Sequence, residues 1–164
     1  MEQRTKRKRI KEGDVIAINL GNLSYGYGYG IVLKSPLAGF YNLQAKNLEL
    51  NVNFITSHSI LFKVPVMNYA FKSEKWHIIG NVELNDDLKQ KVYFFKQDMF
   101  DHSISIYYED GTEGIDIPAT YEEVKDLERA AVWDPEHVED RLRDHFNGVP
   151  NEWVKQLRPK PSAS

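Results

Sequence analysis

The sequence predicts an α+β fold that is mostly β: a strongly curled antiparallel sheet, or a small partly open barrel, followed by C-terminal helices. Three observations predict it. Short apolar runs with two-residue alternation recur at close spacing from Gly13 to Ile117. Two of those runs, "SISIYYE" and "EGIDI", are joined by Asp110-Gly111, a hairpin signal. After Pro118 the apolar spacing lengthens to that of a helix.

The elements follow in order. "GDVIAINLG" (13–21) sets Val15 and Ala17 against Ile16, Ile18 and Leu20, a strand with at least one buried face. "SYGYGYGIVL" (24–33) then puts Tyr25, Tyr27 and Tyr29 on the face that continues as Ile31 and Leu33. Gly26, Gly28 and Gly30 face the other way. The expected role of this stretch is a sharply bent barrel strand, with tyrosines in the core and a bare glycine face that a partner's backbone can approach. A phosphate cradle is excluded, because no third glycine of a dinucleotide fingerprint follows and the run leads into "IVLK" rather than a helix. A stacking platform for single-stranded nucleic acid stays open. Further strands are expected at "GFYNL" (39–43), "SILFKVPV" (59–66), "KWHIIGNVEL" (75–84) and "KVYFFK" (91–96).

In "ATYEEVKDLERAAVW" (119–133), Thr120 and Glu123 have capping-box spacing, and Val124, Leu127 and Ala131 form a helical stripe. "WDPEHVEDRLRDHFNG" restarts a helix with Asp134 as N-cap, Pro135 at its first position, and Val138, Leu142 and Phe146 along one side. The expected division is therefore a basic arm over 1–12, a β-rich core over 13–117, a helical segment over 118–157 packed on that core in the same domain, and a disordered tail over 158–164.

Charge is unevenly spread. The net charge is -3, yet residues 1–11 carry six basic side chains against one acid, and residues 109–147 carry thirteen acids against four bases. A field of one sign on that scale favours a basic protein partner and repels nucleic acid. The acidic side chains expected to meet such a partner are Glu109, Asp110, Glu113, Asp116, Glu136, Glu139, Asp140 and Asp144. With no cysteine, disulfides and thiolate metal sites are excluded. No apolar segment follows the basic opening and none elsewhere is long enough to span a bilayer, so an intracellular, soluble protein is expected.

Catalytic signals are thin. No serine stands in a "GxSxG" elbow. His137 and His145 lie eight residues apart on a predicted helix, too far to share one ion, so no metal and no cofactor is expected. Asp98, Asp101 and His102 in "FFKQDMFDHS" are the nearest approach to an acid-base group, and their placement at a strand end favours a turn. Two rival functions keep a sequence basis: a single-stranded nucleic-acid-binding module using the basic arm, and a small-barrel endoribonuclease using that group.

The string "DLERAAVWDPEHVEDRL" (126–142), taken with "GDVIAI", "YGYG", "FFKQD" and the segment around Trp76, resembles the bacterial immunity protein 26 family over about Gly13 to Leu142. The resemblance implies a non-enzymatic antidote of a polymorphic toxin or contact-dependent inhibition system. It would be cytoplasmic, mostly β, and bind the toxic C-terminal domain of its cognate toxin, which in such systems is frequently a nuclease with a basic groove. The matching residues Gly13, Asp14, Gly26, Gly28, Glu128, Arg129, Trp133, Asp134 and Pro135 are expected to serve folding. Trp133 would lock the helical segment to the sheet, and Glu128 with Arg129 would form part of a buried or half-buried ion pair.

Overall fold

The computed structural model describes residues 9–21 and 24–161, so most of the basic arm lies outside the described residues. Nine strands are described: β1 (Asp14–Asn19), β2 (Tyr27–Val32), β3 (Leu37–Tyr41), β4 (Ile60–Pro65), β5 (Trp76–Asn81), β6 (Phe94–Gln97), β7 (Ile104–Asp110), β8 (Glu113–Pro118) and β9 (Glu128–Arg129). The helices are α1 (Val52–Thr56), α2 (Asp86–Lys89), α3 (Tyr121–Val124), α4 (Pro135–Phe146) and α5 (Glu152–Leu157), with a 3-10 turn at Asn68–Lys72. Mostly β is right; the curled sheet or barrel is not. The strands form two open sheets, ordered β4-β3-β2-β1-β5 and β8-β7-β6-β9.

The first sheet stays open because it is a middle layer and encloses no interior. Ile16, Ile18, Leu20, Val32, Phe40, Phe62 and Val64 form one core with Trp133, Val138 and Leu142, while Val15, Ala17, Tyr29, Ile31, Leu33 and Tyr41 form a second with Ile55 of α1. Successive residues of β1 thus point into different cores, as strand alternation demands when both faces are covered.

The "YGYGYG" stretch finds its explanation here. Tyr27, Tyr29, Ile31 and Leu33 belong to one core. Tyr25 packs with the other, because Gly26 has a φ of 64° and turns the chain between them. The glycine face is not open to a partner. A Cβ on Gly28 would lie 3.2 Å from Leu142 Cδ1, and one on Gly30 would lie 2.9 Å from the Gly39 carbonyl oxygen and 3.0 Å from the Phe40 ring. Helix α4 and strand β3 of the same chain occupy that space.

The predicted helix over 119–133 is a single turn. Its capping box is present, with Thr120 and Glu123 satisfying each other's backbone N–H groups in α3. Beyond Val124 the chain extends instead, and Glu128 and Arg129 pair in parallel with Phe94 and Phe95 of β6. The chain then reaches the first sheet: Trp133 N–H donates to the Pro65 carbonyl at 2.9 Å, and Met67 N–H donates to the Trp133 carbonyl at 3.0 Å. Tertiary pairing overrides helix propensity where one strand must link two sheets.

Helix α4 forms as its sequence requires. Pro135 is its first residue, Val138 and Leu142 are buried beneath it, and the chain leaves through Asn147 and Gly148, the latter with a φ of 68°. At the C-terminal end, Gln97 and Lys160 exchange hydrogen bonds of 2.8 and 2.9 Å and Pro159 is buried, so within the expected disordered tail Lys160 is tied to β6.

Candidate partner-binding surface

The acidic residues do not form one belt. Glu109, Asp110, Glu113 and Asp116 lie on the β7–β8 hairpin of the second sheet, whereas Glu136, Glu139, Asp140 and Asp144 lie on α4 over the first. Within α4, three of the four are engaged internally. Glu139 is only 2% exposed, accepting from Trp76 Nε1 at 3.2 Å and facing Lys75 Nζ at 3.5 Å. Asp140 accepts from Arg143 at 2.5 Å and from Trp153 Nε1 at 3.3 Å. Asp144 accepts from Asn151 Nδ2 at 2.9 Å. Glu136 is exposed, with the Tyr69 hydroxyl 3.4 Å away. Buried Glu139 cannot meet a partner, because solvating a carboxylate inside the fold already uses its hydrogen-bonding oxygens.

The motif residues make definite contacts within the chain. Gly13 has a φ of 87°, and a Cβ there would sit 2.1 Å from the Val82 carbonyl oxygen; at Gly26 the same distance separates it from the Ala45 carbonyl oxygen. Asp14 is fully buried and accepts from Lys11 N–H and Asn81 Nδ2, both at 3.0 Å, tying the entry to β1 onto β5. Glu128 and Arg129 do not pair with each other. As neighbours in an extended strand they point to opposite faces. Glu128 accepts from Arg141 Nη2 at 2.5 Å, with the Arg141 guanidinium 3.7 Å over the Phe62 ring and 5.1 Å from Trp133. Arg129 donates to the Leu157 carbonyl at 3.0 Å and lies over Phe95. Asp134 has N-cap backbone geometry without a side-chain cap bond; its carboxylate accepts from the Tyr69 hydroxyl at 3.0 Å, ahead of Pro135.

The histidines diverge. His137 stacks on Trp153 with ring centroids 3.7 Å apart, and His145 Nε2 lies 3.0 Å from Asn42 Oδ1. Among the described residues no cluster of three or more His, Asp or Glu is placed to hold a metal ion. Asp98, Asp101 and His102 build a turn: Asp98 Oδ1 accepts from the N–H groups of Phe100 and Asp101, and Asp101 Oδ1 accepts from Ser103 N–H. No described helix is long and apolar enough to cross a membrane.

An open apolar surface among the described residues lies on the second sheet. The register pairs Phe95 with Ile106 and Ile106 with Ile117, so Tyr93, Phe95, Ile104, Ile106, Tyr108, Ile115 and Ile117 share one face. Phe95 is buried under the Arg129 guanidinium. Outward from it the face opens: Ile104, Ile106, Tyr108 and Ile115 are half-buried, and Tyr93 and Ile117 are exposed. At its far end Gly111 has a φ of 65° and makes the two-residue turn that brings Asp110 opposite Glu113. The result is an apolar strip ending in carboxylates. In the sequence the Ile and Tyr alternation signals strands only, and their exposed face is set by the register of β6, β7 and β8.

The opposite face borders a cavity of about 620 Å³ between the sheets, lined by Leu33, Leu37, Leu88, Phe94 and Val132 among others. Lysines offset part of the hairpin's charge on both faces, Lys91 over the Tyr108 ring of the strip and Lys96 over Tyr107 on the cavity side. Lys91 Nζ is 3.7 Å from Asp110 and Lys96 Nζ is 3.3 Å from Asp116. Glu109 accepts from the Tyr107 hydroxyl at 3.3 Å, and that carboxylate comes after burial as a cause of the raised Tyr107 pKa.

A family model for immunity protein 26 matches residues 11–105, more than half of the chain. The chain belongs to the immunity protein 26 family. Neither the comparison with curated proteins nor that with solved structures gave a match. The match covers the first sheet, β6 and the turn that follows. It stops before the 126–142 string on which the sequence resemblance leaned most, and before the acidic hairpin of this immunity protein 26 member.

Proposed function

We propose that this protein is the antidote of a cognate toxin domain, and that it engages that domain with the open face of the β7–β8 hairpin and the carboxylates around it. The observation that carries the placement is the apolar strip of Tyr93, Ile106, Tyr108, Ile115 and Ile117 with Asp110 and Glu113 at its end on the same face. An apolar centre with a polar rim is the anatomy of a specific protein interface. The rim's sign supplies the rest of the reading: carboxylates of this kind suit a basic surface, such as the substrate channel of a nuclease, and would accelerate association with it. Family membership supports a toxin as the partner. Glu136 on α4 extends the acidic surface only if the toxin also reaches the first layer.

The test is co-purification with the toxic domain encoded beside this gene, and growth of cells expressing that domain with and without the protein. Association and protection are expected. Charge reversal of Asp110 and Glu113 together should weaken binding at low salt and flatten its salt dependence. Retained affinity in that double variant would move the interface elsewhere. Toxicity of this chain alone, or single-strand binding that falls steeply with salt, would instead favour the ribonuclease or nucleic-acid reading.

A further inference from the structure

Two of the most exposed large apolar side chains lie side by side at the turn between β6 and β7: Met99 is 86% exposed and Phe100 is 94% exposed. Scattered surface apolar residues are ordinary, but an adjacent pair this bare, on a braced turn, is not a by-product of packing. The bracing is extensive. Phe100 and Asp101 N–H donate to Asp98 Oδ1 at 2.8 and 3.0 Å, Ser103 N–H donates to Asp101 Oδ1 at 2.8 Å, and Asp98 N–H donates to the Ser103 carbonyl at 2.9 Å. His102 takes a φ of 60°, and its carbonyl accepts from Gln97, which the docked residue Lys160 holds in turn. The turn is therefore ordered before any partner arrives, which removes much of the entropy cost of burying its side chains.

We infer that Met99 and Phe100 are an anchor that inserts into an apolar pocket with a cationic rim on the toxin domain. This rests on the antidote reading above. The charge beside the anchor selects the occupant. Asp98 and Asp101 flank the two side chains, and hydrogen bonds from Ser103 hold the Asp101 carboxyl below its usual range, so it is ionised at neutral pH. Two carboxylates beside the tip oppose an anionic lipid surface. A symmetric pair of copies would set the same carboxylates against each other. A pocket rimmed by Lys or Arg is complementary to both the apolar pair and its collar, and Met and Phe are enriched in interface centres. The tip and the acidic turn stand at the two ends of β7, about 20 Å apart for a seven-residue strand. The open strip runs along the strand between those two ends.

The experiment compares the full-length protein, a Met99→Ser/Phe100→Ser variant and a Met99→Leu/Phe100→Leu variant, titrated calorimetrically with the toxic domain encoded beside the gene. The serine variant should lose about 100-fold in affinity, as loss of a paired hot spot does, with unchanged circular dichroism and Tm. The leucine variant should stay within about fivefold of the parent, since the pocket reads apolar volume. Affinity of the serine variant within about twofold of the parent overturns the anchor while leaving the antidote reading intact. Absence of binding by the parent itself removes the antidote reading and the anchor with it. Pelleting of the parent with phosphatidylglycerol vesicles, or a parent dimer that the serine variant abolishes, reassigns the tip and overturns the proposal.

Discussion

The two sheets of this protein are built from similar strand-forming sequence and use it differently. In β1 every residue from Asp14 to Ile18 is buried, and β2 and β3 are buried nearly throughout. In the whole second sheet only Phe94 and Phe95 are buried. These three central strands have no face left for a partner, whereas the edge strands β4 and β5 are only partly buried, and tolerance for change at the centre is low because close-packed interiors transmit every added atom. The second sheet has one face over a cavity and the other half open. Stability is therefore concentrated in the first sheet and recognition is free to occupy the second.

The sharpest way to break this contrast is a glycine of the first layer. Gly13→Ala or Gly26→Ala places a Cβ 2.1 Å from a backbone carbonyl oxygen at a positive φ. Each should destabilise by more than about 3 kcal/mol, read as a lowered midpoint in urea. A cost under 1 kcal/mol would mean that the entry loops yield and the first layer is less rigid than described.

Next comes a matched pair of carboxylates. Glu139→Lys puts a second cation beside Lys75 in a site with almost no solvent and should cost about 3–5 kcal/mol. Glu113→Lys, on the exposed turn, should leave Tm unchanged and slow association with the toxic domain. Equal thermal shifts in the two variants would contradict the division of labour between the layers.

A smaller and more discriminating contrast uses apolar truncation. Leu142→Ala removes a fully buried side chain over Gly28 and should cost about 2–5 kcal/mol. Ile117→Ser, at a half-open position, should cost less than about 1 kcal/mol while weakening toxin binding about tenfold. Denaturation and titration of the same two variants check both halves.

The smallest effect concerns Tyr41, whose buried hydroxyl has no hydrogen-bond partner among the described residues. Burial pushes its pKa up from 10.0 to about 12. The folded chain thus keeps this proton while the unfolded chain loses it, so stability falls as pH climbs from 10 towards 12. Tyr41→Phe should remove that alkaline loss and gain up to about 1 kcal/mol at neutral pH. Identical alkaline melting curves would show that the hydroxyl is better solvated than its burial implies.

Strand positions were legible in the sequence because alternation is a local property: Val15 to Leu20, Tyr27 to Leu33 and the hairpin glycine at 111 announce themselves without reference to the rest of the chain. Pro135 and the Val138–Leu142 spacing did the same for α4. Pairing partners were not legible. Glu128 and Arg129 are adjacent and opposite in charge, yet Glu128 meets Arg141 and Arg129 meets the Leu157 carbonyl, since a parallel pairing with β6 turned an expected helix into a strand. The acidic surface failed as a single belt for the same reason: a count along the chain ignores which side chains the fold turns inward, and Glu139 is among them.

By itself the sequence determined the α+β content, the family, the glycine entry points and the uneven charge, all of which reside in local spacing or composition. Tertiary structure alone decided that the strands form two open sheets, that α4 fills the glycine face, and that the Ile–Tyr strip and the Met99–Phe100 tip stay uncovered. Those outcomes depend on which distant segments compete to bury each surface, and that competition is settled only when the whole chain packs at once.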